Sequence, residues 1–303
     1  MKIFLNRKPV SGPWGGGNKT LQCLSDTLAN ASEITYNLED DVDIIYCQDT
    51  KPDASGLWFQ DLLNHRLKFN SKIVQRVGDI GTHRDESVTR LVYESTHLSD
   101  FVIFPSLWAK QALGYQKKNY CIIPNAPLGE FYTNRKDSRI DSEVVRIITH
   151  HWSNNPMKGF DIYEQLGKWA LNKKEVEFCY IGRYSEHHSK EGVNIVSPKD
   201  IKQLSQIIPK FDIYLTASKL EAGANHVLEG LACGLPVIYR VGGGSIEEYC
   251  SSYGLEYSTF DELLSCIKNM SINYPVYKSQ VLGYNNEIKN VMKAYKELIL
   301  SLR

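Results

Sequence analysis

The 303-residue sequence contains no apolar run near the ~20 residues of a membrane span, so no segment reads as transmembrane. Its opening, Met1–Leu5, is too short and too quickly polar for a signal peptide and is expected to be a buried strand. Neither sign of charge is in excess, with 35 Lys plus Arg against 35 Asp plus Glu. That balance excludes a broad nucleic-acid footprint, which needs a clustered basic surplus. None of the seven cysteines forms a Cys-x-x-Cys pair: Cys23, Cys47, Cys121, Cys179, Cys233, Cys250 and Cys266 are scattered, mostly in apolar runs. An odd number of such thiols fits a reducing compartment, so a cytoplasmic protein without structural zinc is expected. A glycine-rich loop near the start lacks both the Gly-Lys-Ser/Thr ending of a P-loop and the full dinucleotide fingerprint.

Short apolar runs alternate with helical patterns from end to end. Candidate strands in the first half are Lys2–Leu5, Val42–Tyr46, Lys72–Val77, Phe101–Phe104 and Tyr120–Ile123. Helical patterns cover Lys19–Leu28, Glu86–Leu98 and Ser106–Tyr115, with Ser106 as an N-cap. The stretch from Pro124 to Asp141 is rich in Pro, Asn, Arg and Asp, lacks an apolar period and reads as a linker. Alternation then resumes with strand Val145–Thr149, helix Asp161–Asn172, strand Val176–Ile181, helix Lys199–Ile208 and strand Phe211–Thr216. Helix Asn225–Cys233, strand Pro236–Tyr239 and a last helix near Asn285–Leu302 follow. The fold class is therefore α/β, with two halves of parallel sheet. Such sheets bind ligands at the carboxyl ends of their strands, and two facing halves imply a cleft.

The most informative stretch runs from Ser218 to Glu229, leaving a strand and opening a helix. Gly223 and Ala224 leave the backbone bare where that helix begins, so N–H groups and the positive dipole end can face an anion. Glu221 lies before the helix and Glu229 about one turn inside it, with seven residues between. Ionised carboxylates only accept hydrogen bonds, which suits them to hydroxyl-rich groups on either side of the anion. The plainer reading is a capped helix with two surface glutamates. It leaves unexplained why both acids flank a bare helix start.

On these residues the sequence resembles the retaining glycosyltransferases of family 4, which have the GT-B architecture of two Rossmann-like domains facing a central cleft. The resemblance rests on the ordered string Glu221, Glu229, Gly234-Leu235-Pro236-Val237, Gly242-Gly243-Gly244 and then Glu247 and Glu248. Ser99–Ser106 and Ile122–Asn125 look like the end of that family's first domain, and Thr149–Phe160 like the opening of its second. The resemblance implies an acceptor domain over residues 1–141 and a nucleotide-sugar domain over 142–284. It also implies a C-terminal helix, 285–303, packing back on the first domain.

Activity and site roles are implied in the same way: transfer of a sugar, with retention, from a nucleotide-diphosphate donor to a glycan, lipid-linked or other acceptor. Lys158, of the Lys158-Gly159 pair, would contact the donor diphosphate together with the backbone at Gly223, Ala224 and Asn225. Glu229 would take the ribose and Glu221 the hydroxyls of the sugar. Gly16 and Gly17 would lie against the donor, and Trp14 nearer the acceptor. Asp79 and His83 are the candidates near the transferred sugar. The bland alternative there is a turn-capping Asp and an exposed His.

One position departs from the family pattern. Many members carry an Arg six residues before the lysine, where this sequence has Trp152, flanked by His150 and His151. That departure leaves the second diphosphate clamp unassigned and keeps open a nucleotide-sugar-binding protein without turnover. A sugar-nucleotide epimerase or an inverting transferase of the same fold is the enzymatic alternative. Asp41-Val42-Asp43 matches the Asp-x-Asp of metal-dependent transferases but stands before its strand, so no metal or other cofactor is expected. A lipid-linked acceptor would bring the protein to the cytoplasmic face of a membrane, a contact that His65-Arg66-Leu67-Lys68 is too sparse to support.

Overall fold

The computed structural model describes residues 1–10, 16–52, 55–81, 86–135 and 143–302. The chain forms two compact units, Met1–Asn125 with Ile288–Arg303, and Ala126–Glu287.

The first unit carries β1 (Lys2–Leu5), β2 (Glu33–Thr35), β3 (Ile44–Cys47), β4 (Lys72–Arg76), β5 (Phe101–Phe104) and β6 (Tyr120–Ile122). They pair in parallel in the order β2-β1-β3-β4-β5-β6. Helices α1 (Gly16–Ala29), α2 (Phe59–Phe69), α3 (Glu86–Leu98) and α4 (Leu107–Ala112) connect them. Ser106 caps α4 as expected, its hydroxyl accepting from the Ala109 N–H at 3.0 Å. Burial on both faces explains the continuous apolar strands: every residue of Ile44–Cys47 is at most 1% exposed.

In the second unit, β7 (Val145–His151), β8 (Val176–Gly182), β9 (Asn194–Val196), β10 (Ile213–Thr216), β11 (Val237–Arg240) and β12 (Gly254–Tyr257) are also all parallel. Their order is β12-β11-β10-β7-β8-β9, so the direction of winding reverses between β7 and β10. Helices α5 (Glu130–Thr133), α6 (Phe160–Ala170), α7 (Ile201–Ile207), α8 (Asn225–Ala232), α9 (Ser245–Cys250), α10 (Phe260–Ile272) and α11 (Tyr274–Leu282) accompany them.

After α11 the chain returns to the first unit as α12 (Ile288–Ser301), which packs on α1. Tyr295 of α12 is buried, sets its ring edge-on to Tyr46 of β3 at 6.5 Å and hydrogen-bonds Arg76 at the end of β4.

The units divide at Asn125/Ala126 rather than at residue 141. The cause is Phe131: it is fully buried in the second unit's core with Ile148, Tyr214, Leu228 and Leu231. Tyr132 stacks on Tyr284 at 6.3 Å, and Arg135 donates to the Tyr284 carbonyl at 3.0 Å. The polar composition of this stretch hides one anchoring aromatic, so part of the expected linker belongs to the second unit.

All seven cysteines are free thiols, four of them buried. No helix among the described residues is long and apolar enough to cross a membrane. Two side chains of the basic stretch on α2 have partners within the unit. His65 is buried between the Ser71 hydroxyl and the Glu39 carbonyl, and Arg66 pairs with Asp100 at 2.6 Å.

Removing the Phe131 ring should leave a cavity under α7 and α8. Phe131→Ala is expected to destabilise the protein by ~3 kcal/mol or more in urea denaturation. A loss under about 1 kcal/mol would mean that this stretch is a dispensable connector.

Candidate functional site

The reversal between β7 and β10 leaves a crevice at their carboxyl ends, where doubly wound sheets hold ligands. His150 and His151 end β7, Thr216 ends β10, and α8 begins nine residues later at Asn225.

Lys158 reaches this place on a single 3-10 turn, Pro156–Lys158, capped by the Asn155 side chain on the Met157 N–H at 2.9 Å. Gly159 then takes φ +79, and a Cβ there would stand 2.2 Å from the Ala217 carbonyl oxygen. Only glycine lets the chain pass so close to the end of β10. Lys158 is 8% exposed, and its Nζ lies 2.5 Å from Oε1 of Glu221, also 8% exposed.

Glu221 is held by its backbone. Its N–H donates to the Gly243 carbonyl at 3.0 Å, and its carbonyl accepts from the Ser245 N–H at 2.9 Å. Leu220, just before it, has φ +58, which costs a branched residue conformational energy and persists because the surroundings impose it. The glycine loop is closed in turn by the Glu247 carboxylate, which accepts from the Gly242 N–H.

The N-cap of α8, Ala224, has no polar side chain with which to cap the helix, and the first turn carries no acidic residue. The Ser245 hydroxyl accepts from the Ala224 N–H at 3.0 Å and so fixes where the helix opens. Gly223 and Asn225 remain half-buried on either side of Ala224. The arrangement is an anion-favouring helix end beside a buried ammonium.

Glu229, one turn inside α8, places Oε2 at 2.6 Å from Nε2 of His150. On the other side of that ring the Tyr214 hydroxyl lies 2.9 Å from Nδ1, and it accepts from the His150 backbone N–H at 3.3 Å. Burial pushes the Tyr214 hydroxyl well above its usual range, so it stays protonated and donates to Nδ1. Nε2–H of His150 then points at Glu229 and orients its carboxylate.

Two further imidazoles lie beside them. His151 and His226 lie 4.7 Å apart by ring centroids. Tyr163, whose hydroxyl accepts from the Ala217 N–H at 3.0 Å, donates to Nε2 of His151 at 2.8 Å. Thr216 accepts from the Ser218 N–H at 3.3 Å and donates to Nε2 of His226 at 2.9 Å. Desolvation drives His151 well below its ordinary value, helped by His226 and Lys158. Burial, opposed by Glu221 and assisted by Lys158, pushes His226 down to about 3. Both rings are therefore neutral.

The structure thus brings together Lys158, Glu221, Gly223, Ala224, Asn225 and Glu229, all in the second unit. Gly16 and Gly17 belong to the first unit and form the opening of α1, partly accessible. Asp79 is exposed in the same unit, where its Oδ1 accepts from the Gly81 N–H at 2.8 Å, as a turn-capping Asp does. Trp14 and His83 lie outside the described residues. Asp41 and Asp43 surround Lys2 instead of forming a pair of their own: Nζ of Lys2 is 2.9 Å from Asp41, and its backbone N–H donates to Asp43 at 2.7 Å. Among the described residues no group of three or more His, Cys, Asp or Glu is gathered as a metal site.

The roles of His150, Tyr214, His226 and Ser245 escape a reading along the chain. The doublet His150-His151 and the serine after three glycines were the available signals, but their partners lie across the sheet.

Neutral burial of His226 predicts an acid-sensitive protein. An unfolded imidazole takes up its proton near 6.5, the folded one only near 3, so between these values the unfolded state binds the extra proton. Stability is then lost as pH falls through that window. His226→Gln should flatten the slope of urea-unfolding stability between pH 4 and 6 by up to one proton, ~1.4 kcal/mol per pH unit. An unchanged slope would contradict the assignment.

The sequence matches no family model and no curated protein sequence. Solved structures do match. HepE of Anabaena, determined with UDP and glucose, superimposes with a TM-score of 0.76 at 13% identity, over 99% of this chain and 99% of that one. Sucrose-phosphate synthase of Thermosynechococcus elongatus gives 0.72 at 13% identity, over 99% and 98%. The pneumococcal O-GlcNAc transferase GtfA, determined with UDP and GlcNAc, gives 0.66 at 14% identity, covering 93% of this chain and 60% of that one. With two parallel six-stranded sheets flanked by helices, the chain has the GT-B fold.

Proposed function

We propose that the protein is a glycosyltransferase that moves a sugar, with retention, from a nucleotide-diphosphate donor to a glycan, lipid-linked or other acceptor. The observation that carries this reading is the buried Lys158–Glu221 pair beside the start of α8, with Glu229 oriented one turn inside that helix. Fold alone would not carry it, since one architecture hosts many chemistries. The UDP and sugars held by HepE and GtfA of the same fold agree with it.

In this reading the donor enters a site whose charges already balance. Lys158 exchanges part of its contact with Glu221 for the diphosphate, and the α8 amides take further phosphate oxygens. Glu221, released from sole pairing, accepts from the hydroxyls of the sugar. Glu229, oriented by His150, accepts from the ribose hydroxyls. As the bond from the anomeric carbon to the phosphate oxygen breaks, negative charge grows on the leaving group. Lys158 and the helix dipole stabilise that charge without reorganising. The acceptor oxygen bonds to the same face of the anomeric carbon, and its proton passes to the departing phosphate oxygen. The protein's task is positioning and electrostatics, with no metal and no other cofactor.

Glu229→Ala should weaken nucleoside diphosphate binding ~10-fold or more by calorimetry, through loss of a charge-assisted hydrogen bond. Unchanged affinity would remove the ribose role. Turnover should survive EDTA, and NMR of the product should show the donor's anomeric configuration. Loss of activity restored by manganese would overturn the metal-free site. An inverted linkage would assign the inverting class, and a rearranged nucleotide sugar formed without acceptor would assign an epimerase.

A further inference from the structure

A donor diphosphate carries two negative charges, and a third appears on the leaving group when the glycosidic bond breaks. A single ammonium already engaged by Glu221 balances little of this. The position six residues before Lys158, where the resembling family places a guanidinium, is Trp152. The structure nevertheless sets a guanidinium against that residue, from just beyond the neighbouring strand. The Cζ of Arg183 lies 4.2 Å from the centroid of the Trp152 ring, on its face.

Strand pairing explains the meeting. β7 and β8 run in parallel with His151 opposite Gly182, so residues 152 and 183 leave the sheet side by side at its carboxyl edge. Gly182 takes φ +134, and a Cβ there would fall 1.9 Å from the His151 carbonyl oxygen. The absence of that Cβ lets the Arg183 N–H reach the same carbonyl at 3.4 Å. Arg183 is exposed and forms no ion pair among the described residues. An aromatic face orients a guanidinium without consuming its N–H groups, which stay available for a bidentate contact.

We propose that Arg183, laid on the Trp152 indole, is the second cation that meets the donor diphosphate, and that Trp152 acts as its positioning residue. This rests on the nucleotide-sugar reading of the second unit. The substitution of Trp for Arg at position 152 then relocates the clamp from β7 to β8 instead of deleting it.

The test is calorimetry with UDP, GDP and ADP on the wild-type protein, followed by the best-bound nucleoside as diphosphate and monophosphate on variants. Arg183→Gln should lower diphosphate affinity about tenfold or more and monophosphate affinity less than about threefold, since a charge-assisted fork to the outer phosphate is lost. Trp152→Leu should weaken the diphosphate in the same selective way. The double variant should be no worse than Arg183→Gln alone, because the two residues act as one unit. Arg183→Lys should recover part of the loss. Unchanged diphosphate affinity in Arg183→Gln overturns the proposal while leaving the wider reading standing, and so does an equal loss for both ligands. Failure of the wild-type protein to bind any of the three diphosphates overturns the wider reading and this proposal together.

Discussion

The buried contact between Lys158 and Glu221 is the constraint on which the second unit's crevice depends. Two opposite charges, each 8% exposed and 2.5 Å apart, have been taken out of water. Such a pair contributes little to stability over an apolar pair of equal volume, whereas removal of either member leaves an uncompensated charge. Much of the local geometry serves to hold it. Gly159 slips under Ala217 to aim the lysine, and the Gly242-Gly243-Gly244 loop grips the backbone around Glu221. The strained Leu220 marks where that grip is applied. The pair holds a cation and a hydrogen-bond acceptor side by side at the carboxyl end of the sheet.

Around that pair the fold removes competing charge. Tyr163 and Thr216 act as hydroxyl donors to His151 and His226, and burial keeps both rings neutral. Tyr214 donates to His150, whose remaining N–H is turned to Glu229. Three imidazoles that look alike in sequence therefore have separate surroundings, set by which backbone amide each hydroxyl partner must satisfy. With these two rings neutral, the field there is left to Lys158 and the start of α8, while Arg183 lies on the face of Trp152 just beyond β7 and β8.

Much of this was legible along the chain. Continuous apolar strands such as Ile44–Cys47 and Ile213–Thr216 announce parallel sheets, and the elements around Gly234 and Pro236 mark a helix stop before β11. The edge strands β2 and β9 were not legible: Glu33–Thr35 and Asn194–Val196 are three residues long, half-exposed and without a pattern. α10 escaped notice although Thr259 and Glu262 form a capping box, and α11 because its buried residues include Lys278, which donates to the Gly234 carbonyl at 2.6 Å. For the site, the order Lys158, Glu221, Glu229 was visible in sequence. The pairing of His150 with Glu229, 79 residues apart, and of Trp152 with Arg183 was not, because such contacts follow from strand order across the sheet.

The central claim, a nucleoside diphosphate site in the second unit, is tested most directly by thermal unfolding of the purified protein with UDP, GDP, ADP or CMP and no added metal. Ligand at ~100 times its dissociation constant stabilises the folded state by ~2.7 kcal/mol, which should raise the midpoint by a few degrees in a chain of this size. The account predicts such a rise with at least one nucleoside diphosphate. No shift with any nucleotide at millimolar concentration would contradict it.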